Sequence, residues 1–124
     1  MKVIKTIKAP KAIGPYSQGI KHNNFVYTSG QIPLNPATGK LVEGDFKKEV
    51  KQVLNNVNAV LKEGGSSIDK AIKLTVFVTD LGKFPELNEV FESFFGKNLP
   101  ARSAVQVSAL PLGVRVEIEA VGCK

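Results

Sequence analysis

Between Phe46 and Phe95 the hydrophobic period of this chain changes twice, and that restricts the fold more than any other feature. Phe46, Val50, Val53, Leu54, Val57 and Leu61 recur at helical spacing with lysines and asparagines between them. Such a stripe marks a helix that buries one face. Asp45 stands before it as an N-cap, and Gly64-Gly65 stops it. Ile72, Leu74, Val76 and Val78 then alternate, with Phe77 apolar on the other parity, which predicts a strand buried on both faces. Thr79-Asp80-Leu81-Gly82 reads as a turn. Phe84, Leu87, Val90, Phe91, Phe94 and Phe95 return to helical spacing, and Gly96 ends this second helix.

The flanking segments read as strands. Val3 and Ile4 suggest a short first one. Pro10 and Pro15 deny the next stretch ladder hydrogen bonds, so it is irregular. Gly19 to Lys21 and Phe25 to Thr28 form a hairpin around His22, Asn23 and Asn24, where asparagine tolerates positive φ. Ser29 to Gly44 is a long connection with turn chemistry at Pro33, Asn35-Pro36 and Thr38-Gly39; Ile32, Leu34, Leu41 and Val42 predict that it is ordered. Val105 and Val107 alternate with Ala104 and Gln106 behind Pro100, an apolar strand with Arg102 at its mouth. Leu110-Pro111-Leu112-Gly113 fits a type I turn. In the last strand, Val114 to Val121, Val114, Val116, Ile118 and Ala120 alternate against Arg115, Glu117 and Glu119.

The order is therefore βββαβαββ in a single domain spanning residues 1–124: an α+β fold with a six-stranded mixed sheet and two helices on one face. Phe77 and parts of the terminal strands lie on the other face. Self-association is the simplest way to cover it.

Several function classes are excluded by composition. No apolar run approaches the ~20 residues of a membrane span, and no signal-peptide core follows Lys2, Lys5, Lys8 and Lys11, so a cytoplasmic protein is expected. Cys123 is the only cysteine and His22 the only histidine. An internal disulfide is thereby excluded, and a zinc site would need mostly carboxylates, which zinc seldom uses. No metal is expected. The net charge is +6, but the lysines are spread along the chain with no run longer than Lys47-Lys48. Nucleic-acid modules concentrate basic charge and interleave it with aromatics, so a soluble basic surface is the better reading and no nucleic-acid partner is expected.

Of seventeen basic residues only Arg102 and Arg115 are arginines. Where lysine is the default, an arginine suggests a need for the planar fork, which grips a carboxylate or phosphate through two parallel hydrogen bonds. A structural ion pair is the other reading of Arg102. Gly30 either admits a ligand to the backbone or merely opens a turn. Glu117 and Glu119 face away from the valines of their strand; they are solvated, or one of them meets Arg102. An arginine clamp beside a carboxylate suits hydrolysis of a small acid. Tyr16 adds a hydroxyl, unless it is a core aromatic. Residue chemistry alone reaches a small-anion site in an α+β oligomer.

Four segments go further: Gly14-Pro15-Tyr16-Ser17-Gln18, Ser29-Gly30-Gln31-Ile32-Pro33, Pro100-Ala101-Arg102-Ser103 and Val116-Glu117-Ile118-Glu119-Ala120. Together and in this order they closely resemble the RidA (YjgF) family of imine deaminases. The resemblance implies a homotrimer of chorismate-mutase-like subunits with clefts between protomers. It implies cofactor-independent hydrolysis of 2-aminoacrylate, 2-iminopropanoate and 2-iminobutanoate to 2-oxo acids and ammonia. On the same basis Arg102 is the carboxylate clamp, Glu117 the water-holding acid and Tyr16 the cleft tyrosine. Ser29 and Gly30 form the cleft wall, and Asn88 lines it. Ala104 stands where many relatives carry a cysteine, which removes a thiol but keeps the backbone groups. The competing classes are an RNA-directed translation inhibitor or ribonuclease, and a small-metabolite binder without turnover.

Overall fold

Six strands and two helices form in the expected order. The structure, a computed structural model, describes all residues from Met1 to Lys124. The strands are β1 (Lys2–Ile4), β2 (Gly19–His22), β3 (Phe25–Thr28), β4 (Ala71–Val78), β5 (Ala101–Gln106) and β6 (Val116–Cys123). The helices are α1 (Phe46–Glu63) and α2 (Phe84–Phe95). All six strands join one sheet in the order β1-β2-β3-β6-β4-β5. Only β4 and β5 are parallel. A parallel pair needs a crossover, and α2 supplies it.

Both helices lie on one face. Val50, Val53, Leu54, Val57 and Leu61 of α1 and Leu87, Val90 and Phe91 of α2 pack into one buried cluster with Leu74, Val76 and Val78 of β4 and Val116 and Ile118 of β6. Burying a side chain of this kind is worth about 1.5–3 kcal/mol. The helix ends are those the sequence signals: Asp45 Oδ1 accepts the Lys48 N–H at 3.2 Å, and Gly96 leaves α2 with φ of 56°. No helix is long and apolar enough to cross a membrane.

Four local expectations are corrected. β4 is buried on its helix face only; Ile72 is exposed because the register with β6 shifts between Ala71 and Lys73, and that bulge turns Ile72 out of the alternation. β5 is an edge strand, paired to β4 and to nothing on its other side, so the expected apolar strand is largely exposed. β6 starts at Val116 rather than Val114, since the Val114 N–H is used by the preceding turn, donating to the Pro111 carbonyl at 3.2 Å. Leu112 takes φ of 58° and ψ of 19°, so the turn after Pro111 is closer to type II than type I. Proline fixes only φ at the first corner of such a turn, and both types share that φ.

The long connection is ordered as expected, though its apolar anchors have polar help. Asn56, almost fully buried in α1, donates through Nδ2 to the carbonyls of Ile32 (3.0 Å) and Leu34 (2.9 Å). Gln18 does the same for the proline-bearing segment: its amide nitrogen donates to the carbonyls of Thr6 and Pro10, and its Oε1 accepts the Thr6 N–H at 2.7 Å. These side chains satisfy carbonyls that no strand partner reaches. Asn56→Ala should therefore cost about 1–3 kcal/mol, read as a lower urea midpoint at unchanged slope. An unchanged midpoint would show that the carbonyls find water instead.

The face away from the helices is uncovered. Register places Val3, Ile20, Phe25, Tyr27, Phe77 and Val105 on it. Phe25, Tyr27 and Val105 are each 40% or more exposed; these apolar residues come from five strands, and β6 between them adds Glu117 and Glu119 to the same face.

Candidate functional site

Glu117 and the segment after β3 form the first group. Gln31 and Ile118 exchange backbone hydrogen bonds of 2.8 and 3.1 Å, which lays Gly30 against Glu117. A Cβ built on Gly30 would sit 2.0 Å from Glu117 Oε2. Glycine here leaves room for the Glu117 carboxylate beside the backbone, so the close approach seen is that of a side chain of the chain itself. The Gly30 N–H has no acceptor within the chain. Ser29 secures the adjoining segment: its N–H donates to the Gln18 carbonyl at 2.8 Å and its Oγ to the Ser17 carbonyl at 2.5 Å. Tyr16 immediately precedes that segment. It is half exposed, which rules out a core aromatic, and its ring lies along Gly14.

Glu117 is half-buried on the uncovered face, opposite Phe77. Burial raises its pKa above the usual carboxylate value, and the Glu119 charge adds to the rise. No donor in the chain binds its carboxylate, whereas Glu119, two residues on, is exposed. A half-desolvated carboxylate with both oxygens free can hold a water molecule and take its proton.

Arg102 belongs to a second group. It is paired in register with Leu74, so its side chain lies on the helix face at the outer edge of the sheet. Nη1 donates to Asn88 Oδ1 at 2.9 Å. The guanidinium carbon lies 5.2 Å from the centroid of the Phe91 ring and 5.8 Å from that of Phe84. No carboxylate pairs with it: the ion pairs of the chain are Lys47–Glu89, Lys83–Glu86 and Arg115–Glu49. Ala104 follows on the same face, opposite Val76.

The structural ion pair considered for Arg102 is found at Arg115 instead. Its Nε donates to Glu49 Oε1 at 3.1 Å and its Nη2 to Oε2, a bidentate bond to a buried carboxylate. That contact raises the arginine pKa, and the fork also stacks on Phe46. Arg115 is thus paired within the chain, and neither Glu117 nor Glu119 meets Arg102.

Within one chain, then, Glu117, Gly30 and Ser29 come together with the Tyr16 segment beside them, while Arg102, Asn88 and Ala104 lie apart. Arg102 and Glu117 stand on opposite faces of the sheet, separated by two strand spacings of about 4.8 Å each and three positions along β4. The contact of Asn88 with Arg102 was not readable from the residues, although its position between Phe84 and Phe91 on a helical stripe carried the signal. His22, at the exposed end of β2, takes part in neither group. No three His, Cys, Asp or Glu side chains converge to ligate a metal ion.

Comparison with known proteins identifies relatives of the whole chain. Residues 6–123 match the family model described as endoribonuclease L-PSP. A RutC family protein of Pyrococcus abyssi is 50% identical over 122 residues, covering 98% of this chain and 96% of that protein. The human 2-iminobutanoate/2-iminopropanoate deaminase is 47% identical over 120 residues, covering 97% and 88%. Among solved structures, that of E. coli TdcF with bound serine superposes with a TM-score of 0.95 at 44% identity, covering 100% of this chain and 99% of the other. RidA from Psychrobacter gives 0.96 at 44% identity, covering 100% of both chains.

Proposed function

Because the chain belongs to the RidA (YjgF) family, we propose that it hydrolyses reactive 2-imino and 2-enamino acids such as 2-iminobutanoate and 2-iminopropanoate to 2-oxo acids and ammonia. The observation that carries this reading is the Glu117 carboxylate, half-desolvated, unpaired and lying against the backbone of Gly30. The mammalian deaminases at about 47% identity support the same chemistry.

In the proposed reaction the Arg102 fork grips the substrate carboxylate. Glu117 holds a water molecule and accepts its proton as the oxygen bonds to the C=N carbon. Glu117 returns that proton to nitrogen to give the carbinolamine, then takes the hydroxyl proton and passes it to the amine as the C–N bond breaks, so ammonia leaves with the 2-oxo acid and Glu117 ends ionised. An enamine first takes a proton on carbon to become the imine. The free N–H of Gly30 and the exposed hydroxyl of Tyr16 can hydrogen-bond polar atoms of the bound molecule.

Arg102 and Glu117 of one chain cannot close on one small molecule. The proposed unit therefore holds more than one copy, and the family resemblance sets the number at three: a homotrimer with the apolar residues of the uncovered face buried and each cleft taking Arg102 from one copy and Glu117 from another. A monomer mass by light scattering at micromolar concentration would remove this assembly and the cleft with it.

The direct test generates an imine in situ and follows ammonia and 2-oxo acid. The protein should accelerate the release of both; equal rates with and without it would defeat the proposal. The ribonuclease reading predicts RNA binding that weakens steeply with salt, and imine hydrolysis does not share that dependence. Gly30→Ala forces the Glu117 carboxylate to move. Misplacement by about 1 Å can cost ~10²-fold, so kcat/KM should fall by about that factor with the assembly intact. Unaltered kinetics would show that the Glu117 position is not critical.

A further inference from the structure

We propose that Phe84, Asn88 and Phe91 of α2 are positioning residues for Arg102, a cradle that sets the plane and direction of its guanidinium before an anionic substrate arrives. The proposal deepens the reading given above and rests on Arg102 as the carboxylate clamp.

Residues 84, 88 and 91 are spaced i, i+4 and i+7, so they share one face of α2. Both rings lie within the ~6 Å at which an aromatic face attracts a cation, at 5.8 Å for Phe84 and 5.2 Å for Phe91. The rings restrain the guanidinium plane, and the 2.9 Å bond to Asn88 fixes its rotation within that plane. Nothing else holds the side chain. β5 is an edge strand, Arg102 is exposed, and no carboxylate of the chain reaches it. A guanidinium has five N–H donors, and Asn88 takes one, so a bidentate pair remains for a ligand. A free arginine loses considerable rotamer freedom on gripping a ligand; one already stacked loses less, and the difference appears as affinity. The helical spacing of the two phenylalanines marks them as core, and Phe91 is buried, but Phe84 is only half-buried and can be altered with less risk to the fold.

The chain has only two arginines, so a 15N-labelled sample gives two Nε–H signals, with Arg115 as the internal reference. In Phe84→Leu the Arg102 signal should move toward the position of free arginine, while Phe84→Tyr, which keeps a ring face, should leave it in place. Calorimetry with 2-oxobutanoate and with the neutral 2-oxobutanamide provides the functional readout. Phe84→Leu should weaken the acid about 5-fold and leave the amide unchanged. KM for the imine should rise with kcat held, as expected when ground state and transition state lose the same interaction. An unmoved Arg102 signal in Phe84→Leu overturns the cradle. So does equal weakening of acid and amide, or equal behaviour of the leucine and tyrosine variants, since either would mean packing alone. If the unaltered protein binds acid and amide alike, the clamp reading itself falls, and the cradle falls with it on separate grounds.

Discussion

Glu117→Gln hydrolyses a 2-imino acid about 10²- to 10⁴-fold more slowly than the unaltered protein, while binding the 2-oxo acid product nearly as well. Glutamine keeps the shape and one acceptor oxygen but does not take a proton from water. The pH dependence gives a second signature. Burial, then the Glu119 charge, raises the Glu117 pKa above 4.5, so the acidic limb of kcat/KM should lie above the ordinary glutamate value. Glu119→Gln removes the smaller cause and should shift that limb to lower pH while keeping most of the turnover. Stability should move the other way. A carboxyl raised by folding contributes stability below its unfolded value and loses it as pH rises through the folded one. At neutral pH Glu117→Gln should then be somewhat more stable than the unaltered protein. Parallel pH–rate profiles and thermal melts of both variants decide the matter. A crippled Glu119→Gln beside a fully active Glu117→Gln would reassign the acid.

Arg102→Ala loses about 10²-fold or more in kcat/KM, because two charge-assisted hydrogen bonds of roughly 1.5–3 kcal/mol each are at stake. Arg102→Lys recovers little of this, since an ammonium cannot reproduce the parallel fork or lie flat against two rings. Neither change should disturb folding: the residue is exposed on an edge strand and forms no ion pair within the chain. The loss should therefore appear in substrate kinetics with the circular dichroism spectrum unchanged. Full activity in Arg102→Lys would point to a bare positive charge and against the clamp.

Local chemistry was legible in the residues, and cross-chain geometry was not. Asp45, Gly64 and Gly96 mark helix ends through backbone needs that depend on a few neighbours, and the elements begin and end there. The parity of Glu117 told which way it points relative to Val116 and Ile118. Parity is silent, however, on which strands flank β6 or which strand ends the sheet, because that is decided by pairing between distant segments. For this reason β5 read only as an apolar strand, with nothing to mark it as an edge, and Ile72 looked buried until the bulge displaced it. The two arginines illustrate the same limit. Both suggested a fork in use, yet only the folded chain separates Arg115, spent on buried Glu49, from Arg102, whose remaining donors are free. Asn56 gave no signal and Gln18 stood only as part of a motif, since an amide inside a helix or beside a strand looks like any solvated one until the carbonyls it serves are known.

The placement of Arg102 and Glu117 on opposite faces of a single sheet has a genetic consequence. In the proposed assembly, a copy carrying Arg102→Ala still offers an intact Glu117, and a copy carrying Glu117→Gln still offers an intact Arg102. Either population alone is inert. Unfolded together and refolded as a mixture, they should regain activity, because some clefts then pair the sound half of one defective subunit with the sound half of the other. Two null alleles of this protein expressed in one cell would complement each other, and the fraction of activity restored would count the clefts that two different copies share.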